Sequence, residues 1–391
     1  MIDVLQGLRV VDFSKVLAGP LCTQYLGDMG AEIIKVEPPL GDDTRRWPPF
    51  RNGDGTVFLS VNRNKRSLVL DLKSEAGREA VRRLLQTADI VVESFGPGVT
   101  QRLGIDYESV AALRPDVVYC SISGFGTQGP LRDGKGYDVI LQAFSGMMAL
   151  TGEEDGPPVR SPVSPIDQAT GMHAALGIVG GILRRFRTGR GMLVEASLFD
   201  TSLGFMAYVM QSFWERGTEP RRWGSAHESL CPYQVFDTSD RPLLLGVAND
   251  TLWQAFCRTV GATELAAEER FATNAGRVEH RAEVLEQVAA ILVHDSCDAW
   301  LERLSRAGIP CAPMLGVGDV LAHPHTAASG MIQTLPRGGD MGLNMVSQPL
   351  RFDGQRPTAQ CPPPALGEHT NEILASLGYT PEQIARIGSA E

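Results

Sequence analysis

No apolar run in this 391-residue sequence approaches the ~20 residues that a helix needs to cross a bilayer. A membrane-spanning helical bundle is thereby excluded. The opening "MIDVLQGLRVVDFSKV" has no basic segment followed by an apolar one, so no secretory leader is expected and the cytoplasm is the expected compartment. Cysteine is sparse. The seven (Cys22, Cys120, Cys231, Cys257, Cys297, Cys311 and Cys361) are odd in number, scattered and free of any C-x-x-C pair. Neither a disulfide framework nor a metal site is therefore expected. Positive charge is in deficit, with 36 Lys and Arg against 46 Asp and Glu and a formal net charge of -10. The long-range field thus opposes nucleic acid and anionic membrane surfaces as partners. Two nucleotide fingerprints are also missing. The first strand is not followed by G-x-G-x-x-G, and no G-x-x-x-x-G-K-[ST] occurs. A nicotinamide dehydrogenase and a P-loop enzyme are disfavoured accordingly.

What is present is ordinary globular chemistry, 43% hydrophobic and 21% charged, in a chain long enough for two cores. The first third alternates strand and helix. "LRVVDF" reads as a strand, "LCTQYLGDMG" as a helix closed by Gly30, and "AEIIKVE" as the next strand. The theme repeats with "SLVLDL", a helix over "SEAGREAVRRLLQTA" capped by Ser74, and "DIVVESF". On that helix Ala76, Ala80, Val81, Leu84, Leu85 and Ala88 make one apolar stripe. "YESVAALRP" and "DVVYCSISGFG" add a helix and a strand. The fold class is therefore α/β, a large Rossmann-like domain with a parallel sheet. Three glycine- and proline-bearing loops, 14–20, 95–98 and 123–130, follow strands on the same sheet edge, which suits a ligand groove.

A long run of small and apolar residues predicts a tightly packed helix over about 170–187, ending at Gly189. A polar linker spans 216–225, inside the stretch "RGTEPRRWGSAHES". Residues 226–325 then read as a smaller α+β domain, with strands in "YQVFDTSDRPLLLGVA" and helices at about 251–260, 279–293 and 296–307. The large domain covers 1–215, and the tail 330–391 returns to it.

One acid stands out. Asp167, in "SPVSPIDQATGMHAALGI", sits just before the predicted helix. An aspartate there is a preferred N-cap, accepting a bond from an unpaired amide. A carboxylate there is also able to attack an acyl group, the backbone amides holding the oxyanion. Residues alone leave both readings open.

The segments "VVDFSKVLAGPLCTQYLGDMGAEIIKVE", "NRNKRSLVLDLK", "VVESFGPG", "GYDVILQAFSG", "DQATGMHAALGI", "GIPCAPM" and "LGEHT", in that order, resemble the class III CoA-transferases, the family of formyl-CoA and carnitine CoA-transferase. "GDDTRRW", "SVNRNKRS" and "RRWGSAHESLCPYQVF" look closest to the succinate–hydroxymethylglutarate branch. The resemblance implies an interlaced homodimer, CoA thioesters as substrates with small carboxylic acids, and no resident cofactor. It places Asp167 at the catalytic aspartate. It places Val16, Ala18, Leu70, Phe95, Arg102 and Lys135 at CoA contacts. Arg45, Arg46 and His227 are candidates for a dicarboxylate's distal end, since arginine forks match carboxylates, and Tyr137 joins them on the substrate side. Leu17 stands where the formyl enzyme has glutamine, Pro38 and Pro39 where it has arginines, and its "GGGGQ" flap is absent, which points away from oxalate and formate. The same family contains α-methylacyl-CoA racemases. Their base is a histidine where Tyr137 stands, and a phenol of pKa ~10 is a poor base. A non-catalytic acyl-CoA-binding protein is the alternative from another class.

Overall fold

A computed structural model of the chain describes residues 2–336 and 342–388. The parts of the expected returning tail at 337–341 and 389–391 lie outside the described residues. Six strands form one parallel sheet: β1 (Arg9–Asp12), β2 (Glu32–Glu37), β3 (Lys65–Val69), β4 (Ile90–Glu93), β5 (Val118–Ser123) and β6 (Met192–Ser197). Their order is β3-β2-β1-β4-β5-β6, every neighbouring pair parallel. The order runs outward from β1 in both directions, so the topological switch lies between β1 and β4, where the loops at the strand ends part.

Alternation along the strands supplies two cores. Val10, Ile33, Ile90, Val92 and Val118 face one way, and Val11, Ile34, Val36, Val91 and Tyr119 the other. The connecting helices include α1 (Ala18–Asp28), α2 (Glu75–Leu85), α3 (Asp138–Phe144) and α4 (Pro165–Thr188). Ser74 caps α2 as expected, its hydroxyl accepting the Gly77 amide at 3.0 Å. On the expected stripe Ala80, Val81, Leu84, Leu85 and Ala88 are buried; Ala76 is exposed and Gly77 takes the inner place.

Two boundaries differ from the sequence reading, and both bear on function. The first glycine-bearing loop is shorter than 14–20, because Ala18 to Pro20 already form the first turn of α1. Proline in a first turn loses no hydrogen bond, so it does not delay the helix. α4 begins at Pro165, five residues before the expected start, for the same reason. Glycines then let α4 lie close to the sheet. A Cβ on Gly177 would stand 2.6 Å from Val194 Cγ1, and one on Gly181 2.7 Å from Val118 Cγ1.

The chain divides into two compact units. The first comprises the residues up to Met147, Arg160–Glu215 and the residues from Pro324 onward; the second comprises Met148–Val159 and Arg216–His323. The second unit carries an antiparallel sheet of Tyr233–Phe236, Leu243–Gly246 and Cys311–Pro313, with helices Asp250–Val260, Arg281–Leu292 and Cys297–Arg306. Its core holds Phe236, Leu245, Trp253, Phe256 and Trp300. The fold class is thus α/β with a Rossmann-like parallel sheet and a smaller additional domain. Among the described residues no helix is long and apolar enough to cross a membrane.

Candidate active site

A cleft of about 570 Å³ opens at the carboxyl edge of the sheet, within the first unit. The segments after β1, β4 and β5 line it, as the switch-point rule requires. Asp167 reaches it from α4, and Leu198 from the helix after β6.

Asp167 is the third residue of α4 and does not cap it. Ser164 holds the N-cap position in the left-handed region (φ 48°) with no side-chain capping bond. The orphan amides are taken instead by Asp138, the first residue of α3. Its Oδ2 accepts the N–H of Ile166 at 2.8 Å and of Asp167 at 3.1 Å. Asp138 is itself buried and held by the Gln142 side-chain amide. Asp167 keeps a carboxylate that makes no hydrogen bond among the described residues. Burial, and then the charge of Asp138 beside it, push its pKa up to about 7. A carboxylate that is desolvated, unbonded and aimed into a cleft has the properties of a nucleophile.

The segment opposite is held from beneath by buried charges. Asp12, at the end of β1, accepts the Ser14 amide at 2.9 Å and its hydroxyl at 2.5 Å. Lys65 pairs with Asp12 at 3.1 Å and donates to the Pro20 carbonyl at 2.9 Å. Lys35 pairs with Asp42 at 3.0 Å and donates to the Ser14 carbonyl at 2.8 Å. Strand register sets Asp12 beside Lys35. All four ionic side chains are buried. Desolvation lowers Lys65 to about 8, whereas its lysine and hydroxyl neighbours hold Asp12 below the usual carboxylate range against the same desolvation.

Of the CoA candidates, Val16, Ala18, Phe95 and Lys135 line the cleft, as does Tyr137. Val16 has φ 70°, a conformation that strains a β-branched residue. Lys135 is exposed and has no ion-pair partner among the described residues. Tyr137 is 57% exposed. Arg102, in the helix Val99–Leu103, is exposed and outside the lining. Leu70 is packed in the core that contains Val11 and Val91, so its side chain does not reach the cleft.

The distal-carboxylate expectation needs correction at Arg45. This side chain is only 5% exposed. It forks onto Glu37 with two bonds of 2.8 Å, pairs with Asp54 at 2.9 Å and donates to the Pro364 carbonyl. Its guanidinium also stacks 3.6 Å over the Phe58 ring. Nothing is left for a substrate. Arg46 is exposed, bonded to Asp43 at 2.7 Å and to the Leu40 carbonyl. His227 lies in the second unit, where its ring accepts the Ser229 amide at 3.0 Å.

Sequence reasoning passed over three residues here. Lys15 lines the cleft beside Val16. Glu93 ends β4 on the cleft floor, accepts the Phe95 amide at 2.8 Å, and is lifted above the usual range by burial. An acid inside the apolar run "DIVVESF" was the available signal for it. Asp138 had no signal, because its partners are 28 and 29 residues away.

Residues 5–370 match CoA-transferase family III, and the chain belongs to that family. Its activity is CoA transfer on carboxylic acids, with CoA thioesters as substrates. The chain is 37% identical over 375 residues to the succinyl-CoA:glutarate CoA-transferase of Mus musculus, covering 95% of this chain and 86% of that protein. It is 38% identical over 350 residues to the acetyl-CoA:oxalate CoA-transferase of Acetobacter aceti, covering 89% of each. A crystal structure of a CAIB/BAIF family protein from Brucella suis superimposes with a TM-score of 0.85 at 38% identity, covering 95% of this chain and 99% of that one.

Proposed function

We propose that this protein moves CoA from a dicarboxylic acyl-CoA, succinyl-CoA foremost, to a second dicarboxylic acid, with Asp167 as the nucleophile. The observation that carries the reading is the unbonded Asp167 carboxylate in the cleft, its helix amides already taken by Asp138. The Asp167 oxygen attacks the thioester carbonyl, the C–S bond breaks, and CoA thiolate leaves an aspartyl–acyl anhydride. The thiolate then attacks the aspartyl carbonyl and displaces the donor acid, leaving an aspartyl-CoA thioester. The acceptor carboxylate attacks that thioester, releases the thiolate and forms a second anhydride. Thiolate attack on the acceptor's carbonyl gives the new acyl-CoA and restores Asp167. Each step exchanges one activated carboxyl for another, so no ATP is consumed, and water must be kept away from both intermediates.

Val16, Ala18, Phe95, Lys135 and Arg102 are the proposed CoA contacts, the two cations suiting phosphates. A dicarboxylate, placed on the succinate–hydroxymethylglutarate side of the family, is supported by relatives named for succinyl-CoA:glutarate and succinyl-CoA:mesaconate transfer. The oxalate-named relative is as identical, so identity alone does not choose the acid. Of the two candidate arginines, Arg46, exposed and outside the cleft lining, is the one that remains for the distal carboxylate.

The test uses an acceptor labelled with ¹⁸O in its carboxylates, incubated with succinyl-CoA as the sole CoA donor and no other acceptor. The mechanism leaves one acceptor oxygen on Asp167 at each turnover, so the peptide containing it gains ¹⁸O. New acyl-CoA without label in that peptide would remove Asp167 as the nucleophile.

A further inference from the structure

The cluster beneath the cleft is more elaborate than a core needs. Buried ion pairs contribute little net stability, because desolvation offsets their attraction. Here two pairs, Asp12–Lys65 and Lys35–Asp42, each place bonds on one short segment, their other bonds going to Thr23, Asn62 and Thr44. Asp12 holds the Ser14 amide and hydroxyl, Lys35 the Ser14 carbonyl, and Lys65 the Pro20 carbonyl. Asp42 accepts from the Val16 amide at 3.4 Å and from Thr44 at 2.8 and 3.0 Å. Between these anchors Val16 sits at φ 70°, a strain of roughly 1–3 kcal/mol that persists only where the surroundings over-determine it.

The segment is also fixed from the side. A Cβ on Gly19 would fall 2.2 Å from Ser14 Cβ, so the turn closes on itself. A Cβ on Gly171 would fall 2.5 Å from the Ala18 carbonyl oxygen. Gly171 is one helical turn beyond Asp167 on the same face of α4. The start of α1 therefore touches the Asp167 helix directly, backbone against backbone.

We propose that Asp12, Lys35, Asp42 and Lys65 are positioning residues: a buried ionic clamp that fixes the Ser14–Pro20 segment at a set distance from Asp167 and so governs turnover. This rests on the reading of Asp167 as nucleophile. The clamp acts on the geometry in which Val16 and Leu17 meet the thioester, where a displacement of about 1 Å costs roughly 10²-fold in rate.

The test compares two double variants. Lys35→Met with Asp42→Asn removes one ion pair, leaves no buried lone charge and keeps an amide oxygen for Thr44. Arg63→Met with Asp28→Asn removes a buried pair of 2.6 Å elsewhere in the same unit. Expected for the first are a fall in kcat of at least tenfold, a thioester KM within threefold, and at least tenfold faster amide exchange at Lys15–Ala18. The second lowers Tm comparably with kcat within twofold. Equal kcat in the two, or unchanged exchange at Lys15–Ala18, overturns the clamp. Ser14→Ala, which deletes only the hydroxyl bond to Asp12, provides the same comparison should the first variant be insoluble. Amide exchange reads the clamp without turnover, whereas absent ¹⁸O on Asp167 fails the nucleophile alone.

Discussion

Asp167 and Asp138 are two carboxylates doing different work at one helix end. The amides of Ile166 and Asp167 would ordinarily hold a carboxylate ionised, but they are occupied by Asp138, so Asp167 faces its neighbour's charge without their help. With its pKa raised to about 7, the free enzyme holds Asp167 partly protonated at neutral pH. In the proposed mechanism only the carboxylate attacks, so kcat/KM should fall about tenfold per pH unit below that value. Asp138→Asn removes the like charge and should move this acid limb to lower pH; an unmoved limb assigns it to another group. Stability carries the opposite sign. The unfolded chain releases this proton near pH ~4 and the folded chain only near 7, so folding is penalised increasingly across that window and fully above it. Asp167→Asn should therefore be more stable than wild type at pH 8, by on the order of 1–3 kcal/mol in an open cleft, and equal to it below pH 4. Denaturant titrations at the two pH values check this. The residue itself was legible in the sequence. Its environment was not, because proline let α4 start early and the amide acceptor comes from another helix.

Elements explain why an arginine that looked like a substrate contact is a structural one. Arg45 lies in the short turn Asp43–Arg46 and ties it to β2 through Glu37 and to the tail through the Pro364 carbonyl. Removing it strands the buried Glu37 carboxylate, held below its usual pKa by Arg45 and Lys35 against desolvation. Arg45→Ala should cost about 3–5 kcal/mol, seen as a large loss of Tm and soluble yield, rather than a selective rise in the dicarboxylate KM. A variant with normal Tm and a raised KM would return Arg45 to the substrate. At this scale the strands and the capped α2 were readable from alternation and from Ser74. The fate of "GDDTRRW" was not, since Glu37 and Pro364 reach Arg45 through the fold and two arginines look alike on paper.

At the scale of the whole molecule, one face of α4 is unexplained by a lone chain. Met172, Leu176, Val179, Leu183 and Phe186 recur at spacings of four and three, one continuous helical stripe, with Leu176 71% and Phe186 75% exposed. Ala174, Ala175, Ile178 and Ile182, between them, face the sheet. Contiguous apolar surface of this kind is uncommon on monomers and marks a contact. We propose that it is covered by a second copy in a homodimer, which agrees with the interlaced assembly that the family resemblance implies. Sedimentation velocity should give twice the chain mass at micromolar concentration. Leu176→Glu with Leu183→Glu should give monomer or aggregate, because both charges would be desolvated in the contact. Both side chains lie on the face away from the sheet, so the first unit's core is untouched and a folded monomer is an attainable product. A monomeric wild type would leave the stripe to another partner and sever the dimer from the fold.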